Sequence, residues 1–261
     1  MLSSKLERLR ELLVANTPML IAYSGGVDSS FLLAIAQQTI PGKFSAVIAD
    51  SPSLPRAALN EALAFAEKWE IPLTVLNTKE LDNPEYQANP ANRCYYCKAE
   101  LFDQMQRLAL EGNFQALAYG ENADDARQDR PGRQAAATFQ VIAPLCLAGL
   151  TKLDIREASK QLELPTAEAP SQPCLSSRIP FGTPVTREAL AMIEAGEALV
   201  RKFGFRIFRV RYLSGKALVQ IAPEEMHRLK EQKTELLEGL RKLGFLEVDI
   251  DPAGYQGPGV T

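Results

Sequence analysis

The sequence predicts an α/β protein: a doubly wound, mostly parallel sheet with a smaller C-terminal α+β domain. Three observations carry this. Short apolar runs alternate with helical patterns from residue 19 to residue 120, as expected when each strand is followed by a crossover helix. The first run breaks into "SGGVDSS" (24–30), a small-residue turn from which helical periodicity resumes. Beyond a proline-rich stretch, two alternating runs flank Ser214 and Gly215, the pattern of an antiparallel pair. A boundary near residue 180 follows, with domains over 1–180 and 181–261.

Leu6, Leu9, Leu12 and Leu13 recur at helical spacing, and Ser4 with Glu7 forms a candidate capping box. Met19 to Tyr23 reads as a buried strand, and the helix after the turn runs from about Asp28 to Gln38. "FSAVIAD" (44–50) is a second strand; Pro55 opens the helix that carries "RAALNEALAFAEKW". "LTVL" (73–76) is the third strand. A loop holding Cys94 and Cys97 leads into the helical "KAELFDQMQRLAL", and "FQALAYG" (114–120) is the fourth strand. "LTKLDIREASKQLEL" (150–164) reads as a helix. Five prolines between residues 165 and 184 then exclude a regular helix and mark a linker or active-site loop. The remainder predicts a helix from Arg187 to Phe203, strands "FRIFRVRYL" and "KALVQIA", a helix from about Pro223 and a strand in "FLEVDID". The tail "DPAGYQGPGVT" is expected to be mobile.

Composition narrows the function classes. The chain has 261 residues, 46% hydrophobic and 23% charged, an ordinary globular balance. A formal charge of −3 argues against a nucleic-acid surface. No apolar run approaches the ~20 residues that span a bilayer, and the start "MLSSKLERLRELL" lacks a signal-peptide apolar region. A cytoplasmic protein without a membrane partner is expected. His227 is the one histidine, which leaves little room for Ser-His-Asp catalysis or a multi-histidine zinc site.

The four cysteines are Cys94, Cys97, Cys146 and Cys174. In a reducing compartment such a set points to metal or redox chemistry rather than a disulfide framework. "CYYC" is compatible with zinc, an iron–sulfur cluster or a redox dithiol. Without a second C-x-x-C a four-ligand zinc site is hard to complete; three thiolates could hold a [4Fe–4S] cluster and leave one iron open. Cys146, in the apolar "IAPLCLAGL", reads as a small core hydrophobe.

A strand feeding a helix through small residues aims several N–H groups and the helix dipole at one point, which makes an anion site. Ser24, Ser29 and Ser30 add hydroxyls, and Gly25 and Gly26 permit close backbone approach. The turn lacks the Gly-Lys-Ser ending of a Walker A loop and is not a G-x-G-x-x-G dinucleotide turn. It resembles the S-G-G-x-D-S motif of the PP-loop ATP pyrophosphatases. The resemblance implies cleavage of ATP to AMP and pyrophosphate, with Ala22, Ser24, Gly25, Gly26, Asp28, Ser29 and Ser30 at the nucleotide and Asp28 assisting Mg2+. Ala49, Asp50 and Ser51, at the end of the next strand, are expected near adenosine.

"YGENADDARQDRPGRQAA", "APLCLAGLTKLDIREASKQLELP", "PCLSSRIPFG" and "FRVR", in that order, are similar to the LarE family within this group. That resemblance implies an ATP-dependent sulfur transferase. It adenylates a carboxylate of pyridinium-3,5-biscarboxylic acid mononucleotide and converts it to a thiocarboxylate, in synthesis of the nickel-pincer nucleotide cofactor. Cys174 matches the sulfur-donating cysteine. In single-cysteine members that residue is sacrificed; three-cysteine members resemble cluster-dependent thiolation enzymes, and Cys94, Cys97 and Cys174 favour the latter. The family also implies a homo-oligomer.

Among the supporting residues, Arg130 is a candidate ligand for a phosphate or the adenylate, and Asp124, Asp125 and Asp129 for magnesium. Arg178 could raise the positive potential around Cys174. Arg209 and Arg211 share one face of a strand, expected to be exposed, where guanidinium forks suit a phosphate; the resemblance assigns them, with Glu197 on the preceding helix, to the substrate mononucleotide. Gln220 departs from the family, which has a glutamate there. Tyr95 and Tyr96 either stack on a ring or pack the core; Trp69 reads as helix packing and His227 as a surface residue. Two rivals share the turn. A tRNA thiolation enzyme is disfavoured by the acidic balance and the missing second C-x-x-C, and an amide-forming ATP pyrophosphatase would leave the cysteines without a task. A non-catalytic nucleotide sensor is the alternative of a different class.

Overall fold

The computed structural model describes residues 2–125, 131–170 and 173–255. Along the chain run α1 (Leu2–Ala15), β1 (Met19–Tyr23), α2 (Val27–Thr39), β2 (Phe44–Asp50), α3 (Arg56–Lys68), β3 (Leu73–Asn77), α4 (Pro84–Gln87), α5 (Arg93–Glu111), β4 (Ala116–Tyr119), α6 (Pro131–Thr138), α7 (Pro144–Leu147) and α8 (Lys152–Gln161). There follow α9 (Arg187–Lys202), β5 (Phe208–Leu213), β6 (Lys216–Ile221), α10 (Leu229–Lys242) and β7 (Glu247–Ile250). Two compact units emerge, Met1–Glu80 with Asn92–Gln172, and Leu81–Ala91 with Pro173–Thr261.

The first unit holds a four-stranded sheet in the order β3-β2-β1-β4, all neighbours parallel. Every residue of β1 is buried because helices cover both faces, as parallel sheets require. Met19, Ile21 and Tyr23 pack with Leu9, Phe31 and Ile155 on one side. Leu20 and Ala22 pack with Phe102, Met105 and Ala135 on the other. This is a doubly wound α/β sheet. Its strand order reverses at β1, which lies between β2 and β4, and ligands of such folds gather at the carboxyl ends beside that switch point.

The second unit pairs β5 with β6 antiparallel and β6 with β7 parallel, over a core of Val200, Phe205, Val210, Val219, Leu236, Leu240 and Phe245. The β5–β6 turn places Ser214 at φ 50° and Gly215 at φ 96°, the doubly left-handed geometry that matches hairpin twist. The proline-rich stretch is held from a distance in sequence. Asn89, fully buried, donates from Nδ2 to the carbonyls of Pro180 (2.7 Å) and Thr183 (2.9 Å). Tyr86 and Ser176 share a hydroxyl hydrogen bond of 2.8 Å. These contacts explain why residues 81–91 group with the C-terminal segment.

Some elements differ from the sequence reading. Cys94 and Cys97 sit inside the first two turns of α5, not in a loop, because the helical phase of Ala99, Phe102 and Met105 runs back through Tyr95. Ser4 lies within α1, past the position of a capping residue. The helix expected from Pro223 begins as a 3₁₀ segment, Pro223–Arg228, before α10. Short helices α4, α6 and α7 have too few turns to show periodicity. Trp69 caps α3, its ring stacked on Phe65 at 5.8 Å, and His227 is exposed. Among the described residues, no helix is long and apolar enough to cross a membrane.

Candidate functional site

The first unit gathers its polar side chains at the carboxyl ends of β1, β2 and β4. Ser24, exposed, follows β1; Gly25 takes φ +75°, a conformation costly for other residues, and Gly26 caps α2. Ser24 and Ser29 hydroxyls lie 3.0 Å apart, Ser29 donates to the Gly26 carbonyl (3.1 Å), and Ser30 contacts the Tyr23 hydroxyl at 3.3 Å. Ala22 is buried behind them on β1. Ser24, Gly25, Gly26, Asp28, Ser29 and Ser30 thus form one continuous turn at the N-terminus of a 13-residue helix. Gly120 completes it. A Cβ at that position would stand 2.9 Å from both Cα and N of Ser29, so only glycine lets the end of β4 approach α2.

That approach brings in residues the sequence reading did not single out. Lys152 Nζ reaches both carboxylate oxygens of Asp28, at 2.9 and 2.8 Å, and Asn122 Nδ2 adds a bond of 3.2 Å. Asn122 also donates to Asp125 (2.8 Å) and accepts from the Asp124 amide (2.9 Å); Asp124 in turn accepts from the Lys152 amide (2.8 Å). Lys152 opens α8, behind a capping box formed by Thr151 and Asp154. The signal available in sequence was "LTKLD", in which a cap residue precedes a lysine. Asp28 is not itself the N-cap; it stands in the first turn of α2. Asp129 and Arg130 lie outside the described residues.

At the end of β2, Ser51 is buried and its hydroxyl joins those of Ser53 (2.7 Å) and the carboxylate of Glu80. Glu80 is 2% exposed, and its Oε2 has no hydrogen-bond partner among the described residues. At the end of β4, the Tyr119 hydroxyl donates to Glu121 at 2.6 Å, and burial followed by that carboxylate pushes the phenol pKa up. Lys98 lies 4.5 Å over the Tyr119 ring, and burial pulls its ammonium pKa down. Gly132 leaves room for it, since a Cβ there would meet the Lys98 stem at 2.7 Å.

Cys94 is exposed and Cys97 half-buried, three residues apart on α5 and so on neighbouring positions of one helix face. Neither forms a disulfide among the described residues. Tyr95 and Tyr96 between them meet edge to face at 5.5 Å, and Tyr95 packs on the core. Cys174, likewise outside any disulfide, is half-buried and belongs to the second unit. Cys146 is half-buried on α7 rather than sealed in the core; burial raises its thiol pKa. Among the described residues, no group of three or more His, Cys, Asp or Glu side chains is assembled to hold a metal ion.

In the second unit Arg178 forks onto Glu197, Nε to Oε1 at 2.8 Å and Nη2 to Oε2 at 3.0 Å, both residues being buried. Its Nη1 donates to the Cys174 carbonyl at 2.9 Å. Arg178 therefore fixes the backbone at Cys174 while its charge is balanced by Glu197, rather than standing free beside the thiol. Arg209 and Arg211 share one face of β5 but are half-buried, not an exposed stripe. Arg209 lies 4.7 Å over the Tyr255 ring, and burial, then nearby Arg178, lowers its pKa. Arg211 Nε donates to Gln220 Oε1 at 2.7 Å, and Gln220 Nε2 donates to Asp251 at 2.8 Å.

Together these features define a doubly wound α/β protein with a serine-, aspartate- and lysine-lined turn at its sheet switch point and an arginine-bearing α+β unit. No protein-family model matches the chain. It is 40% identical over 258 residues, 98% of this chain and 96% of the relative, to an uncharacterized protein of Synechocystis sp.. It is 28% identical over 244 residues to an uncharacterized protein of Methanocaldococcus jannaschii, covering 92% of each. Over 237 residues, 90% of this chain and 86% of the relative, it is 25% identical to pyridinium-3,5-bisthiocarboxylic acid mononucleotide synthase of Lactiplantibacillus plantarum. The chain belongs to the family of the Synechocystis protein and is more distantly similar to the L. plantarum synthase.

Proposed function

We propose that this protein is a cytoplasmic, ATP-dependent sulfur transferase of the PP-loop type. It adenylates a carboxylate of pyridinium-3,5-biscarboxylic acid mononucleotide and replaces the activated oxygen with sulfur. The observation that carries this reading is the meeting of Asp28 and Lys152 at the serine turn after β1, a place suited to a polyphosphate. The name of the L. plantarum relative supports the substrate class.

In this reading the backbone N–H groups after Gly25, with the Ser24, Ser29 and Ser30 hydroxyls, hold the β- and γ-phosphates. A substrate carboxylate oxygen bonds to the α-phosphorus and the bond to the β-phosphate oxygen breaks. Lys152 offers its positive charge to the departing pyrophosphate, and Asp28 would hold Mg2+, which would screen the phosphates. Adenylation removes the negative charge that shields the carboxyl carbon and provides AMP as leaving group when sulfur attacks. Ser51 and the carboxyl end of β2 would border adenosine, and Arg130 is a candidate ligand for a phosphate or the adenylate. Arg178 and Glu197 set the Cys174 backbone; Arg209 and Arg211 take the substrate's phosphate.

Sulfur would come through Cys174 or through a [4Fe–4S] cluster. The donor set fits a cluster in kind: Cys94, Cys97 and Cys174 all lie outside any disulfide, and two share a helix face. Held by these three, a cluster would supply an open iron for sulfide. The net charge of −3 favours the mononucleotide over tRNA.

Pyrophosphate release tests the reading. It should depend on ATP, Mg2+ and the pyridinium dicarboxylate together and be lost in Asp28→Ala. Release that ignores the dicarboxylate would refute it.

A further inference from the structure

Glu80 carries an inference that goes beyond this reading and rests on it only for the presence of a nucleotide. The carboxyl end of β2 lies beside the turn that follows β1, where the sugar or base of a bound nucleotide falls in folds of this class. The polar side chains of β2 itself are already committed there. The Asp50 carboxylate is paired with Arg56, which also donates to the Ser51 and Leu54 carbonyls at 2.8 Å each. Ser51 donates its one hydroxyl proton to Oε1 of Glu80. Its two lone pairs accept from the Ser53 amide at 3.0 Å and the Ser53 hydroxyl at 2.7 Å. Ser51 is thereby saturated, able to border a ligand but not to bond it.

Glu80, just past β3, keeps an unused acceptor. It is buried, and among the described residues its Oε2 has no hydrogen-bond partner. The same segment holds a second sealed oxygen without a partner among the described residues, Thr78 Oγ1. The Thr78 amide donates to the Asp50 carbonyl at 3.3 Å, which ties this segment to the end of β2. A buried oxygen left without a donor is costly, and a carboxylate is satisfied only by an N–H or O–H. We propose that Glu80 is a specificity-determining residue for the nucleotide: its Oε2 accepts from a donor of adenosine, the 6-amino group or the ribose 2′-hydroxyl. Since Oε2 is closed to water, this requires the 51–54 loop to part as the donor arrives.

Calorimetric titration of the full chain with Mg2+ and ATP, inosine triphosphate or 2′-deoxy-ATP tests the proposal. Inosine triphosphate carries an oxygen in place of the 6-amino group, and 2′-deoxy-ATP lacks the hydroxyl. The wild type should bind ATP about tenfold or more tightly than whichever analogue lacks the donor, the worth of a hydrogen bond to a charged group. In Glu80→Gln the Ser51 proton holds the amide carbonyl at the Oε1 position and leaves NH2 at the other. A donor then meets a donor, and the preference should fall below about twofold. Ser51→Ala removes a hydroxyl saturated within the protein and should keep the preference. A wild type that binds the nucleotides alike, or binds none, overturns the proposal without any variant. So does a Glu80→Gln variant that keeps the wild-type ratios at whatever overall affinity, or a Ser51→Ala variant that loses them. Pyrophosphate release from the same samples separates this from the adenylation reading. Release with ratios unchanged in Glu80→Gln defeats only the role of Glu80, whereas preference without release defeats only adenylation.

Discussion

Lys152 Nζ lies within 2.9 Å of both carboxylate oxygens of Asp28, although 124 residues separate the two in sequence. Asp28 is held to one side by this ammonium and to the other by Asn122. The pair is partly exposed, Lys152 at 41% and Asp28 at 15% of side-chain area, so its worth to stability is small, under about 1 kcal/mol. Its value in the proposed reading is in placing a cation beside the turn taken to hold phosphate.

Replacing that cation should therefore separate stability from activity. Lys152→Met is expected to lower pyrophosphate release by about 10²–10³-fold, the usual cost of one preorganised charge-stabilising group. Urea denaturation should shift by less than about 1 kcal/mol. Full activity in the variant would remove Lys152 from the site.

Gly120→Ala tests the close approach of β4 to α2. The added Cβ would stand 2.9 Å from backbone atoms of Ser29, which cannot rotate away as a side chain can. A loss of about 1–3 kcal/mol in denaturant unfolding is expected, together with weaker ATP binding as the turn shifts. An unchanged midpoint would show that the two elements separate freely.

The cap that orients Lys152 predicts a pH dependence. Asp154 accepts from Lys5 at 2.6 Å and from the Thr151 amide at 2.9 Å. These bonds, the Lys5 contact first, hold its pKa at about 2, below the usual 3.8. The folded state binds its proton less readily than the unfolded chain, so the stabilisation is complete above about pH 4 and lost as pH falls toward about 2. Unfolding of wild type and Asp154→Asn should converge at low pH and differ at neutral pH. Thr151→Ala should cost about 1 kcal/mol.

Anaerobic purification with iron and sulfide assays addresses the thiols. Wild type is expected to carry iron and sulfide, and Cys94→Ala to lose most of both. An active wild type free of iron, in which Cys174 gives up one sulfur per turnover, would assign delivery to that side chain alone.

Local signals made the sheet readable. Continuous apolar strands mark the parallel sheet because both faces are covered, and the turn at 24–30 advertises itself through glycines and hydroxyls. Lys152, Asn122 and Gly120 were not readable as parts of that turn, since they meet it through strand order and not through spacing. Likewise Asn89 and Tyr86 brace a segment some ninety positions later, a contact with no periodic trace. The cysteine pair looks like loop in sequence because the first turns of α5 hold polar and aromatic residues, and the apolar stripe becomes plain only from Phe102 onward. Alternation put Arg209 and Arg211 on one face, but their charge balance depends on Glu197, Gln220 and Asp251, which only the folded chain assembles.

Backbone amide spectra of the isotopically labelled protein, recorded with and without ATP and Mg2+, test the central claim most directly. The account predicts that the largest shifts fall on Ser24 to Ser30, accompanied by a shift of the Lys152 side-chain signal as Asp28 exchanges its partner. Saturable ATP binding that leaves these resonances unmoved would contradict it.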